Sequence, residues 1–306
     1  MTEKTLIFTG QSPNGIHKTE TAMLCLRRRG WDVADEHAAV VRKSPALARG
    51  VLLHVGLAHY YARLQCAQAG TDPDGYYTPE DAVSRIPGME ESLCPDVLRE
   101  QTPVVLRALA GYYSRWMHER VRVLAVERVV SIPLPGFGGP GEPPEKTARI
   151  DLIVEKGGRI YFWDHKSAGR ITRRHPWYYA RSAQFLLIRW FGRQLGDKFG
   201  GVVLNLIQCA DKTDYQRPPL DAVPGLLTSL PASLSYYERQ RLAFERSGLP
   251  AVLWPAVPSE HTCQGRYSAC AHARKCDNAV PPVIDTDWPE MDIAGYAEKL
   301  LARIDR

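Results

Sequence analysis

Between Ala148 and Gly169 the chain reads ARIDLIVEKGGRIYFWDHKSAG, two β-rich runs joined by a Gly-Gly pair, each interrupted by one carboxylate. Ile150, Leu152, Ile153 and Val154 on one side, and Ile160 to Trp163 on the other, favour extended backbone, while Lys156 to Arg159 (KGGR) supplies a tight turn. The spacing predicts a β-hairpin. Asp151 falls inside its first strand and Asp164 at the end of its second, in runs otherwise apolar enough to be buried. A buried carboxylate must be paired or must bind a cation. Lys166, two residues beyond Asp164, shares its strand face. Two carboxylates and an ammonium gathered on neighbouring strands can hold a divalent metal over a phosphodiester. The plainer reading of Asp-x-Lys, taken alone, is a solvated ion pair at a strand end.

The flanks narrow that choice. Glu127 lies in a β-rich stretch from Val121 to Ile132, Arg173 to Arg193 reads as a helix carrying Gln184 on a largely apolar face, and a strand follows from Gly201 to Cys209. Upstream, residues 45 to 68 read as a helix containing LARGVLLHVGLAHYYARLQ, in which His54 follows Gly50 at a Gly-x-x-x-His spacing. This order, helix, strand, strand with Asp, strand with Asp-x-Lys, helix with Gln, strand, resembles the PD-(D/E)XK nuclease superfamily and, within it, the RecB-like branch. There the signature looks like G-R-x-D, then D-x-K-T/S, then a helix with Gln. The similarity extends over about residues 20 to 277. Two positions depart from it: Ile188 stands where the family often has Tyr, and Ala148 replaces the usual Gly two residues before Ile150.

The resemblance implies an α/β fold, a central mixed β-sheet flanked by helices around a restriction-endonuclease-like core, with helical N-terminal and Cys-rich C-terminal additions. It implies Asp151, Asp164, Lys166 and Gln184 as catalytic residues, and a metal held by His54, Asp151, Asp164 and the backbone carbonyl of His165. Such an oxygen-rich shell suits magnesium or manganese, and the imidazole tilts the choice toward manganese. Phosphodiester hydrolysis needs charge neutralised on the non-bridging oxygens, a more acidic water and a stabilised leaving oxyanion. Lys166 would orient that water or help deprotonate it. Glu127 is open between a supporting contact to the metal site and a solvated position.

Seven cysteines form a second pattern. Cys66, Cys94 and Cys209 are scattered and read as small buried apolar residues, whereas Cys263, Cys270 and Cys276 crowd into CQGRYSACAHARKC. Cys25, in MLCLRRRGW, resembles the Cys-plus-basic helix with which iron-sulfur members of the RecB-like branch begin, AddB-type subunits and CRISPR-associated exonucleases among them. The resemblance implies that Cys25, Cys263, Cys270 and Cys276 hold a 4Fe-4S cluster, for which four thiolates is the right number. Tying the two ends together closes a very long loop and removes unfolded-state entropy. Zinc is the alternative, on the same four thiolates or on three with His261 or His272. The odd cysteine count argues against a disulfide framework.

With 306 residues and 44% apolar content the chain can bury a substantial core. No run approaches a membrane span and the N-terminus is too polar for a secretory signal, so a cytoplasmic protein without membrane contact is expected. The net charge of +5, from 39 Lys plus Arg against 34 Asp plus Glu, is too small to make the whole molecule a nucleic-acid magnet. Charge is instead local. Arg173, Arg174 and Arg181 alternate with Trp177, Tyr178 and Tyr179, a mixture that grips phosphates and stacks on bases; the bland alternative is a solvated helix face over a buried aromatic stripe. The expected organisation is an N-terminal helical region (1–100), a nuclease core (101–258) and a C-terminal Cys segment with a terminal helix (259–306). Gly70 to Gly75 reads as a loop, the stretch on to Pro95 as an irregular lid, Gln101 to Arg120 and Leu226 to Glu245 as helices, Met291 to Arg303 as a last helix, and Pro133 to Glu145 as a linker. Without a nucleotide-binding loop, a helicase pattern or a sequence-reading module, the expected activity is an exonuclease on DNA ends, in recombination, repair or phage DNA processing, beside a possible helicase or recombination partner. The rival is an inert nucleic-acid-binding or helicase-docking module with a structural iron-sulfur or zinc site.

Overall fold

The computed structural model describes residues 4–7, 15, 44–89, 93–134, 136 and 145–248. The expected Cys25 helix, most of the Pro133 to Glu145 linker, the C-terminal cysteines and the terminal helix lie outside the described residues.

The first long helix, α1 (Pro45–Ala69), starts where Ser44 accepts a hydrogen bond from Leu47 N and stops at Gly70 in the left-handed region. A short 3-10 turn (Pro73–Gly75) and helix α2 (Pro79–Arg85) follow, so the stretch expected to be an irregular lid contains a helix. Thr78 caps it, and Pro79 at its first position fits because that N–H needs no partner. Helix α3 (Pro95–Trp116) begins six residues earlier than its apolar stripe suggested, because Pro95 is again tolerated in a first turn.

Five strands make one sheet in the order in which they occur: β1 (Arg122–Pro133), β2 (Glu145–Lys156), β3 (Arg159–Ala168), β4 (Phe199–Gln208) and β5 (Tyr215–Gln216). The β2–β3 hairpin pairs antiparallel with Leu152 opposite Trp163, and Gly157 and Gly158, at φ 58° and 75°, supply the two positive dihedrals its tight turn demands. β4 runs parallel to β3, Asp164 beside Leu204, which requires a crossover between them. That crossover was expected as one helix. It breaks instead into α4 (Arg174–Tyr179) and α5 (Ala183–Gly192), with Ser182 capping the second through Phe185 N. A serine hydroxyl competes for local backbone donors, which explains why a continuous apolar pattern restarts there.

Apolar side chains divide between two cores on the two faces of the sheet. One joins α1, α2 and α3 to Leu152, Val154, Trp163 and Ile207. The other joins α5 and α6 (Pro224–Ser247) to Ile150, Phe162, Leu204 and Leu206. Along β2, therefore, Ala148 and Ile150 belong to the second core and Leu152 and Val154 to the first, although all four share one parity. The alternation of the strand reverses across Asp151. Gly56 lets α1 approach α3 closely, since a Cβ there would lie 2.4 Å from Leu109 Cδ1.

Candidate active site

The reversal in β2 is matched across the sheet. Glu127 stands between Val126, paired with Leu152, and Arg128, paired with Ile150, and so lies across from Asp151; its φ of 48° is the one positive value among the described non-glycine residues. Such a backbone is strained for a residue with a Cβ, and strain of this kind gathers where side chains must be aimed. On the other side the β2–β3 ladder stops at Leu152 and Trp163. Beyond it the Asp151 side chain replaces the missing rung, Oδ2 accepting a hydrogen bond from His165 N at 2.7 Å. The sheet thus opens at the point where its two carboxylate-bearing strands meet.

Helix α1 lies over this opening. A Cβ at Gly50 would meet Ser167 Oγ at 3.7 Å, which sets the helix against the end of β3 and brings His54, one turn on, over the carboxylates. His54 Nδ1 lies 3.5 Å from Asp151 Oδ2 and 4.0 Å from Glu127 Oε1. One ligand atom from each of His54, Glu127 and Asp151 falls within 4.8 Å of the others, a spacing that can enclose one ion.

Asp164 and Lys166 sit alongside. Lys166 Nζ is 2.5 Å from Asp164 Oδ2, and Gln184 on α5 donates from Nε2 to Asp164 Oδ1 at 2.8 Å. Phe185, the next residue, places its ring 5.5 Å from Lys166 Nζ. The structure therefore brings together Asp151, Asp164, Lys166, Gln184, His54 and the main chain of His165.

Burial sets the electrostatics. It raises the carboxyls of Asp151 and Glu127 above the ordinary range, Glu127 further through the charge of Asp151, and with Asp151 it lifts Asp164 to about 6. Burial and the Lys166 charge depress His54 to about 4, leaving its imidazole neutral as a metal ligand must be. Burial works against the Lys166 ammonium too, but Asp164 and Asp151 outweigh it and hold the lysine above its usual value. Crowded carboxylates with a neutral imidazole are costly alone and become favourable around a divalent cation, so the donor set fits one.

Two groups complete the site, one left open by the sequence and one unseen in it. Glu127, left open between the site and solvent, is 9% exposed and belongs to the three-residue cluster. Its signal was the same as that of Asp151, a carboxylate interrupting a β-rich run. The second group is a polar scaffold behind His165. Asn205 Nδ2 lies 2.7 Å from His165 Nδ1 and donates to Tyr112 Oη at 2.8 Å, while Arg217 Nε donates to Asn205 Oδ1 at 3.1 Å. The Arg217 guanidinium is enclosed by the rings of Tyr112, Trp116 and Trp163 at 5.0, 3.8 and 4.5 Å and is paired with Glu119. The His165 ring stacks on Tyr61 at 5.9 Å. No local motif announces this scaffold, because its members come from α1, α3 and the turn after it, β3, β4 and the segment after β5.

Arg173, Arg174, Trp177, Tyr178 and Arg181 are all exposed, on α4 and the residues that flank it, and none of them belongs to the three-residue cluster. Cys66, Cys94 and Cys209 belong to no metal-binding group among the described residues. Cys25, Cys263, Cys270 and Cys276 lie outside them. No described helix is long and apolar enough to cross a membrane.

No curated protein matches the chain. Among solved structures it is similar to a protein from Eubacterium rectale described as a candidate exonuclease, at 13% identity and a TM-score of 0.47 over 88% of each chain. It is also similar to SSO0001, at 12% identity and a TM-score of 0.31 over 58% of this chain and 82% of that one. The sequence profile of the PD-(D/E)XK nuclease superfamily matches residues 26–277, most of the 306. That match spans well over half of the sequence, and the chain belongs to the PD-(D/E)XK nuclease superfamily.

Proposed function

We propose that the protein is a deoxyribonuclease that uses magnesium or manganese to hydrolyse DNA from its ends. The observation that carries this reading is the meeting of His54, Glu127 and Asp151 within one ion's reach, beside Asp164 and Lys166. His54, Glu127 and Asp151 would hold the metal, with Asp164 and the His165 carbonyl on its border. The chemistry a divalent ion would supply there is charge against a non-bridging phosphate oxygen and a more acidic water. Lys166, kept protonated by its two carboxylate neighbours, offers its ammonium to the phosphate and orients the attacking water rather than taking its proton. Gln184 holds one Asp164 oxygen, so that the other stays aimed at Lys166. The Arg217–Asn205 scaffold fixes His165, whose N–H in turn fixes Asp151.

End-directed action is supported by the absence from the sequence of any base-reading motif, since phosphate contacts alone position without specifying. An inert binding module would have no use for several buried carboxylates whose charged forms burial disfavours. By the resemblance to iron-sulfur members of the RecB-like branch, Cys25, Cys263, Cys270 and Cys276 would hold a 4Fe-4S cluster, zinc being the alternative; iron and acid-labile sulfide in protein purified without oxygen support the cluster, and stoichiometric zinc replaces it. Recombination, repair and phage DNA processing remain the settings such an enzyme fits. The deciding experiment uses end-labelled single-stranded and duplex DNA with manganese or magnesium. Asp164→Ala is expected to abolish degradation while the variant keeps its circular dichroism spectrum, and undiminished hydrolysis by it removes the proposed site.

A further inference from the structure

Beside α4 and α5 the surface opens into a cavity of about 490 Å³ whose other wall is α6. It is lined by the buried Leu186 and Leu230 and by the exposed Leu226, Trp177, Tyr178 and Arg181. Trp177 is 62% exposed, far more than a large aromatic residue needs if it only supports packing. It is nevertheless held in place. The Arg181 guanidinium lies 4.2 Å from the Trp177 ring centroid and donates from Nη1 to the Trp177 carbonyl at 3.1 Å. A fixed, exposed indole backed by an arginine presents a flat face beside a phosphate-binding charge.

Charge points to one class of occupant. From Ser167 to Gly196 the chain carries Arg170, Arg173, Arg174, Arg181, Arg189 and Arg193 and no aspartate or glutamate. Arg173 and Arg174 are exposed and make no ion pair among the described residues. Among the described residues the cavity lining contains no carboxylate, and its single charged member is Arg181. An aromatic, cationic hollow without acidic groups suits a polyanion that carries flat rings.

Its position relates it to the carboxylates. Ser182 and Ala183 line the cavity, and Gln184, the next residue along, holds Asp164. Tyr179, adjacent to Tyr178, packs on Phe185 at 5.2 Å between ring centroids, and Phe185 faces Lys166. The residues lining the hollow are thus joined to those that hold Asp164 and face Lys166 through adjacent chain positions and one ring contact.

We propose that this cavity receives an unpaired nucleobase of the strand being cut, stacked on Trp177 with Arg181 at its phosphate, and that the protein accordingly acts on single-stranded DNA. A base within a duplex reaches such a hollow only after unpairing and unstacking, whereas a single strand offers it freely. The proposal rests on the deoxyribonuclease reading for the identity of the polymer, and its test is independent of hydrolysis.

Binding of a fluorescein-labelled single-stranded oligonucleotide is measured by anisotropy with the full chain in EDTA, so that nothing is cut. Trp177→Ala is expected to weaken binding about tenfold, the usual scale of one stacked base. A series of oligonucleotides, each lacking one base, is expected to show one position whose loss costs the wild type a similar factor and costs Trp177→Ala nothing further. Trp177→Phe, which keeps a stacking face, restores most of the affinity. An abasic penalty that persists unchanged in Trp177→Ala, or no sensitive position at all, overturns the proposal. So does sedimentation showing that the wild type self-associates through this face and that Trp177→Ala is monomeric with undiminished DNA affinity. If the base coupling is found while Asp164→Ala still hydrolyses DNA, the catalytic assignment falls and the base site stands.

Discussion

Glu127 pays for its aim with its backbone: a φ of 48° on a residue with a Cβ costs on the order of 1–3 kcal/mol, and the carboxylate it points inward is itself disfavoured by burial. Glu127→Gly relieves both at once. We expect the metal-free variant to be about 1–2 kcal/mol more stable in urea unfolding, and its manganese affinity, measured by calorimetric titration, to fall at least about tenfold as one ligand is lost. A second residue makes a separate test. His59 is fully buried and accepts a hydrogen bond from Ile7 N at Nε2, and burial lowers it from 6.5 to about 4. Between those values the unfolded chain binds a proton that the folded chain refuses, so this histidine subtracts stability as pH falls from about 6.5 toward 4. The full shift corresponds to at most about 3 kcal/mol. Site carboxyls with raised values tilt the other way over an overlapping range, so the measurement is the difference between wild type and His59→Gln in urea unfolding at pH 7 and pH 5. The variant is expected to lose less stability on acidification; equal losses would mean that His59 titrates normally.

At the scale of elements, α1 decides whether the histidine reaches the carboxylates, and its two packed glycines differ. Gly56 faces Leu109 and Val83 so closely that a Cβ would lie 2.4 and 3.1 Å from their methyl groups, whereas at Gly50 only Ser167 Oγ stands near, at 3.7 Å. Gly56→Val is expected to lose roughly 2–3 kcal/mol through overpacking, and Gly50→Ala to gain up to about 1 kcal/mol from helix propensity, both read by thermal unfolding. The β2–β3 hairpin was legible because β-branched runs about KGGR obey local rules, and Asp151, Asp164 and Lys166 were legible as polar breaks in them. The split of the crossover into α4 and α5 was not, since Phe185 to Phe191 continue the apolar pattern and only the Ser182 hydroxyl marks the restart. Glu127 was half legible. Its strand could be read, but the turn of its side chain into the site depends on a dihedral that the residue type disfavours. The Arg217 scaffold was illegible, because cation, rings and amide come from segments up to 156 positions apart.

Across the whole molecule, α6 is fastened to the sheet by a charge cluster with little solvent. Lys146 on β2 donates to Glu238 Oε2 at 3.0 Å, and Arg241 donates to both Glu238 oxygens at 3.1 and 2.6 Å. Removing Glu238 takes one carboxylate from both Lys146 and Arg241, although Arg241 keeps Glu245, so Glu238→Ala is expected to cost about 3 kcal/mol in urea unfolding. The same variant loosens the α6 wall of the Trp177 hollow while leaving the carboxylates on β1, β2 and β3 in place. The fold class followed from the family resemblance that the order of motifs carries, but the change of core across Asp151 was not legible, because a strand that switches faces keeps the same composition as one that does not.

The sheet keeps its strands in chain order, so β1, β2 and β3 form a meander of neighbours that can assemble early with Glu127, Asp151 and Asp164 already in it. His54 arrives on a helix from more than seventy residues upstream of Glu127. An ion held by His54, Glu127 and Asp151 would thus be a clasp between a locally folded ribbon and a distant helix, and slowing of amide exchange along α1 on adding manganese would register the clasp closing.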